Sequence, residues 1–208
     1  MRQPSFEKSV FINCPFDKEY QAILQAMLFC IVYLGFQPRV ATERQDSGEV
    51  RLRKIIGLIK DSKYSIHDLS RCQAEKADDF YRLNMPFELG IDYGCHQFSN
   101  HHRGKRILIL EEKRFRYQRA ISDLAGCDIE PHEGDYQKAI RKVRNWLVSE
   151  ADIAAVGARR ICDAYADFQK WYYEKQLAAG FSDDDIQDYP TSELMVAMQR
   201  WISEGKPT

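Results

Sequence analysis

Long apolar runs are missing from this chain. No stretch approaches the roughly 18–20 residues that span a bilayer, so no membrane partner is expected. A charge of one sign is missing too: Lys and Arg total 30 against 31 Asp and Glu, for a formal net charge of −1. That balance argues against a nucleic acid partner at the level of the whole chain. The basic clusters His101-His102-Arg103 and Lys113-Arg114-Phe115-Arg116 are local and read as solvated loops. The six cysteines, at 14, 30, 72, 95, 127 and 162, include no C-x-x-C pair. Several fall inside apolar patterns, where free cysteine packs as a small hydrophobe. A reducing cytoplasmic compartment without a disulfide framework is therefore expected. His67, Cys72, Cys95 and His96 fit no familiar zinc-ligand spacing, and no metal is expected. Repeats and low-complexity tracts are absent, and Met1 to Ser5 lead almost directly into a strand with no signal-peptide core.

What is present is alternation. Ser9–Asn13 is short, apolar and β-branched, and ends in Cys14-Pro15-Phe16-Asp17, the pattern of a buried strand running into a turn. Residues 17–34 carry Ile23, Met27, Cys30, Ile31 and Leu34 at helical spacing, stopped by Gly35. Residues 36–41 predict a second strand, at a sheet edge because of Pro38. A polar loop over 42–48 leads to a helix over 49–61, with Leu52, Ile55, Ile56 and Ile59 on one face and its arginines and lysines elsewhere. Residues 64–69 predict the third strand and 106–110 the fourth, with a helix over 86–97 between them. A short helix over 118–124, a weak fifth strand at 127–130 and a helix over 136–148 complete the pattern.

Five alternations argue for a parallel sheet covered on both faces. With right-handed crossovers the expected fold is a five-stranded flavodoxin-like α/β sheet of order 2-1-3-4-5. Residues 1–150 are read as this domain and 151–208 as a helical extension. In the extension Ile161, Tyr165, Phe168, Trp171 and Tyr172 form one stripe, and Leu194, Met195, Met198, Trp201 and Ile202 another. Such stripes cover the main domain or pair with a second copy, and a homo-oligomer through these helices is expected. Ser182 with Asp185, and Thr191-Ser192 before Glu193, read as helix starts.

The stretch from Asn84 to Gly94 concentrates the chemistry. Pro86 suits a first helical position, which puts Glu88 in the first turn. There the unpaired N–H groups and the macrodipole favour an ionised carboxylate by about 0.3–1 kcal/mol. That suits an anionic nucleophile or cation stabiliser better than a proton donor. First-turn acids are also routine helix-start signals, so a structural role stands beside the functional one.

Ligands of such a sheet bind outside the carboxyl ends of its strands, at the switch point between the first and third. That rim collects Asn13, Cys14, Pro15 and Phe16 from strand one, and Asp68 and Ser70 from strand three. The loop after strand two brings Arg44 and Asp46, and the Pro86 helix brings Met85 and Glu88. Asp68 serves equally well as the cap of the following turn. His67 points to the opposite face from Asp68 and reads as packed.

These residues resemble a known superfamily. Asn13-Cys14-Pro15-Phe16, Ser65-Ile66-His67-Asp68-Leu69-Ser70 and Phe87-Glu88-Leu89-Gly90-Ile91-Asp92-Tyr93-Gly94 look like the nucleoside 2-deoxyribosyltransferase and TIR-domain superfamily, over about residues 8–148. The transferases carry a similar small-Pro-aromatic turn and a similar Phe-Glu-Leu-Gly-Tyr helix start. TIR domains share the alternation, the polar loop after strand two and a catalytic glutamate on the helix after strand three. The Asp-x-Gly-Thr type loop of the transferases is replaced here by Tyr81-Arg82-Leu83-Asn84-Met85-Pro86. The resemblance implies cleavage or exchange at an N-glycosidic bond of NAD or a related nucleotide, in a prokaryotic defence effector. The alternatives are a deoxyribosyltransferase or nucleoside hydrolase, and a non-catalytic nucleotide- or partner-binding module. In this reading NAD or a nucleotide is the substrate and no cofactor is expected. Glu88 stabilises or traps an oxocarbenium-like sugar, and Asp68 accepts a ribose hydroxyl or shuttles a proton. Asn13 and Arg44 contact phosphate or ribose, and Phe16 stacks on a base.

Overall fold

The computed structural model describes residues 5–43, 46–71, 74 and 82–206. Five strands, β1 (Ser9–Asn13), β2 (Gln37–Val40), β3 (Tyr64–Asp68), β4 (Arg106–Glu111) and β5 (Ile129–Pro131), form one parallel sheet in the order β2-β1-β3-β4-β5. Every residue of β1 and β3 is buried; β1 shows it as the apolar run Val10-Phe11-Ile12, whereas β3 buries the polar Ser65, His67 and Asp68 as well. Pro38 lies in β2, at the sheet edge, where its missing N–H costs no ladder bond.

The helices are α1 (Gln21–Tyr33), α2 (Arg51–Lys60), α3 (Asn84–Phe98), α4 (Tyr136–Glu150), α5 (Ala158–Ala178), α6 (Asp183–Gln187) and α7 (Thr191–Ser203). They sort by strand parity. Val10, Ile12, Tyr64, Ile66, Leu108 and Leu110 share a core with α1 and α4. On the opposite face Phe11 packs with Ile55, Leu58 and Ile59 of α2 and with Ile91 and Cys95 of α3. That parity decides which polar side chains meet, because adjacent strand residues face opposite ways.

Helix α1 is apolar nearly all round, as a helix with packing partners on several sides must be. Its outer surface is covered by α5 and α7: the Phe29 ring lies 5.3 Å from that of Tyr165, 5.4 Å from Phe168 and 5.9 Å from Trp201. The aromatic stripes of the extension are therefore spent inside the chain as a second layer over α1. Ser182 and Asp185 form the expected capping box at α6. Helix α7 begins at Thr191 as expected, with Pro190 before it and no side-chain cap bond. The helix expected over 118–124 is two single 3-10 turns, Tyr117–Arg119 and Ser122–Leu124, separated by the non-helical backbone of Ile121. Among the described residues no helix is long and apolar enough to cross a membrane.

Candidate functional site

Helix α3 starts at Asn84, two residues before Pro86. Proline costs nothing there, since none of the first-turn N–H groups has an intrahelical acceptor. The shift moves Glu88 past the first turn, which contains no acid. Burial, not the helix end, then governs its carboxyl. Glu88 is 6 % exposed, and desolvation raises its pKa above the ordinary value of 4.5, partly offset by the positive charge of Arg51. The helix-dipole argument for a readily ionised Glu88 is thereby overturned. What remains is a poorly solvated carboxylate whose charge the fold tolerates at a cost.

Glu88 lines a cavity of about 600 Å³ beside the carboxyl end of β1, a size within the usual range of about 300–1,000 Å³ for small-molecule sites. Asn13, Cys14, Pro15 and Phe16 form its floor and one wall, and Met85 and Leu83 come from the start of α3. Arg51, the first residue of α2, and Arg82 also line it. Arg51 is exposed, and the expectation that the basic residues of α2 point away from its apolar face fails instead at Lys54, which is buried with Ile55, Leu58 and Ile59. Phe16 is 38 % exposed, which leaves a ring face for stacking. The buried Cys14 thiol is pushed well above its ordinary pKa by desolvation, with Asp68, Asp17 and Glu88 adding to the shift. It is held as a thiol and offers no thiolate nucleophile.

The orientation of Asn13 can be read from its partners. Its Nδ2 donates to the Met85 carbonyl at 2.9 Å and lies 3.0 Å from His67 Nδ1. A carbonyl can only accept, so the amide nitrogen must face it, and both amide hydrogens are then used. His67 Nδ1 is consequently an acceptor, and the ring proton sits on Nε2, 2.9 Å from Asp92 Oδ2. Asp92 Oδ1 is 3.2 Å from Lys105 Nζ. That ammonium also donates to the carbonyls of Ile59 and Ser62. His67, Asp92 and Lys105 are all fully buried. Burial alone would raise the Asp92 carboxyl, but His67 and Lys105 hold it below its ordinary value. This chain fixes Asn13 and, among the described residues, leaves its Oδ1, an acceptor, without a partner.

Asp68 lies on the other side of the sheet. Its Oδ2 accepts from Tyr20 at 2.6 Å and lies 3.0 Å from His132 Nε2, while Oδ1 accepts from the Ser70 N–H at 2.8 Å. Burial opposes its charge, but the His132, Ser70 and Tyr20 bonds hold the carboxyl below its ordinary value. Ser70 Oγ lies 2.9 Å from His132 Nε2 in the same buried cluster. Asp68 and Ser70 are thus not in the cavity wall with Glu88; they tie β3 to α1 and to the loop after β5. Asp46 is exposed and accepts from the Gly48 N–H at 2.9 Å, closing a local turn outside the cavity. Arg44 and Cys72 lie outside the described residues. Of the sequence-predicted residues the structure therefore brings together Asn13, Cys14, Pro15, Phe16, Met85 and Glu88, and not Asp68, Ser70 or Asp46.

Asp92, Lys105, Arg51 and Arg82 were missed, and His67, read as packed, is fully buried. One signal for Asp92 was available: the buried positions of α3 are Met85, Glu88, Leu89 and Asp92, so two carboxylates occupy a stripe that periodicity assigns to the core. Among the described residues no group of three or more His, Cys, Asp or Glu is placed to hold a metal. The fold is that of a parallel, flavodoxin-like α/β sheet with C-terminal helices. No family model, curated protein or solved structure matches this chain.

Proposed function

We propose that the Glu88 cavity cleaves the N-glycosidic bond of NAD or a closely related nucleotide. The observation that carries this reading is a desolvated carboxylate, Glu88, in one cavity with a pre-aligned acceptor, two guanidinium groups and an open aromatic face. A carboxylate that burial leaves poorly solvated gains most when a cation forms beside it. Departure of nicotinamide with the bonding electron pair leaves such a cation on the ribose. Glu88 stabilises or traps it, water completes hydrolysis at the anomeric carbon, and a proton is released to solvent. Asn13, with only Oδ1 to offer, accepts from a ribose hydroxyl rather than contacting phosphate. Arg51 and Arg82 supply the phosphate contacts, and Phe16 stacks on the base.

The two arginines favour a phosphorylated substrate over a free nucleoside, and so favour this reading over a deoxyribosyltransferase. The role in prokaryotic defence belongs to the same proposal and rests on the resemblance alone. The test is incubation of the full chain with NAD and, separately, with a set of nucleosides, followed by assay of free nicotinamide and free base. Faster release of base from nucleosides than of nicotinamide from NAD would reverse the assignment. Absence of release from any of them, in every oligomeric state, would leave a binding module.

A further inference from the structure

We infer that the helical extension builds a second subsite beside the Glu88 cavity, one that takes the distal, unphosphorylated nucleoside of a dinucleotide. The inference rests on the proposed chemistry for its choice of ligand and on independent geometry for its location. A second cavity, of about 630 Å³, has Phe16 and Asp17 in its wall, and both residues also line the Glu88 cavity. The two spaces therefore adjoin, with the half-open Phe16 ring between them. Each is large enough for one half of such a ligand.

The far wall comes from the extension: Asp184, Gln187 and Asp188 face the cavity from α6 and its C-terminal end. That wall is held in place. The Ser182 capping box fixes the start of α6, Gln21 Nε2 donates to the Gln187 carbonyl at 3.3 Å, and the Tyr189 ring packs 5.4 Å from that of Tyr172. On the near side Thr42 contributes a buried hydroxyl that has no hydrogen-bond partner among the described residues. The short helix α6 of the extension is thus held opposite the same turn, Phe16-Asp17, that borders the Glu88 cavity.

Charge sets the direction in which a ligand lies. Asp17 borders both cavities and is paired with Arg71 and Arg82; apart from it the Glu88 cavity sets Arg51 and Arg82 against Glu88, whereas among the described residues the second sets Asp184 and Asp188 against Lys18. Phosphate is welcome on the first side and repelled on the second. Carboxylates and amide oxygens instead accept from ribose hydroxyls and from exocyclic amines. The arrangement suits NAD laid with its nicotinamide ribose at Glu88, its pyrophosphate towards the arginines and its adenosine in the second cavity. Nicotinamide mononucleotide lacks that second half. NADP carries an additional phosphate on the far ribose, where the acidic wall opposes it.

The test compares NAD, NADP and nicotinamide mononucleotide on the full chain, by nicotinamide release and by calorimetric titration of the Glu88→Gln protein, which needs no turnover. The expected result is a preference for NAD over both of the others, by at least about tenfold against NADP as the cost of bringing phosphate to two carboxylates. Asp184→Asn with Asp188→Asn, both at exposed positions, should narrow the NAD-to-NADP ratio about tenfold. Equal affinity for the three ligands, or a ratio unmoved by the double substitution, overturns the subsite even if nicotinamide is released. Absence of release together with preferential NAD binding retains the subsite and removes the chemistry. Absence of binding by all three removes both.

Discussion

Replacing Asp92 by leucine tests the buried chain behind Asn13. Lys105 and Asp92 are both fully buried and meet at 3.2 Å, so the substitution leaves an ammonium inside the fold with, among the described residues, the carbonyls of Ile59 and Ser62 as its hydrogen-bond acceptors. Breaking a buried pair from one side costs about 3–5 kcal/mol, and the two surviving carbonyl bonds put this case near 3 kcal/mol. The His67 Nε2–H, 2.9 Å from Asp92, also loses its acceptor, for about 1–2 kcal/mol more. Asp92→Leu should therefore lose about 4–5 kcal/mol, or roughly 8–20 °C in Tm for a chain of this size. Adding Lys105→Met removes the stranded charge but not the stranded imidazole proton, so the double variant should return to within about 1–2 kcal/mol of wild type. Urea unfolding followed by circular dichroism supplies the midpoints. The sign with pH is also fixed. The folded carboxyl lies below its ordinary 3.8, so its stabilisation is present above that value and is lost as pH falls through the folded one. The gap between wild type and Asp92→Leu should narrow correspondingly in acid. An Asp92→Leu protein as stable as wild type, or a double variant whose losses simply add, would refute the chain.

Other consequences can be checked with the same preparations. If ionised Glu88 is the working form, kcat/KM for NAD falls on the acid side through a pKa above 4.5, because burial raises the Glu88 carboxyl. Arg51 lowers that pKa, so Arg51→Gln should move the acid limb to higher pH; an unmoved limb would separate Arg51 from Glu88. Tyr20→Phe deletes the 2.6 Å bond to Asp68 and should cost about 1.5–3 kcal/mol, as hydrogen bonds to charged groups do. Urea unfolding within 0.5 kcal/mol or so of wild type would contradict the role given to Asp68 as a structural anchor. Trp201→Ala empties a site that is 1 % exposed among Phe29 and Phe168 and should cost about 3–5 kcal/mol. Calorimetry should still show one transition, because the extension shares the core of α1; early melting of a separate part would contradict that packing.

The sheet was legible because buried parallel strands carry their own signature. Val10, Phe11 and Ile12, or Ile107 to Leu110, need no partner to be recognised, and right-handed crossovers leave few orders open. The site was legible only where it is local. Asn13 to Phe16 follow a strand end, and Glu88 follows a proline, so sequence placed both near the rim. The start of α3 was misread because proline is tolerated throughout a first turn, and two residues of error moved Glu88 from the helix dipole into the interior. The choice between His67 and Asp68 turned on register. Pairing puts Asn13 opposite His67, so the two share a face and Asp68 takes the other. Parity was understood from the sequence, but which parity meets α3 depends on the pairing of distant strands. His132, which meets Asp68, and Lys105, which meets Asp92, lie 64 and 13 residues away in sequence and carry no local mark of those partners.

Nicotinamide release from NAD by Glu88→Gln bears most directly on the central claim. The substitution is benign to the fold: it removes a charge that burial disfavours, so at pH 8 the variant should be at least as stable as wild type, with the difference closing as pH falls towards the ordinary glutamate value. Any loss of activity is then chemical. The account predicts release slowed by about 10²–10⁴-fold, the usual scale for losing one positioned catalytic group, with NAD still bound. Release at the wild-type rate by a folded Glu88→Gln protein would contradict it.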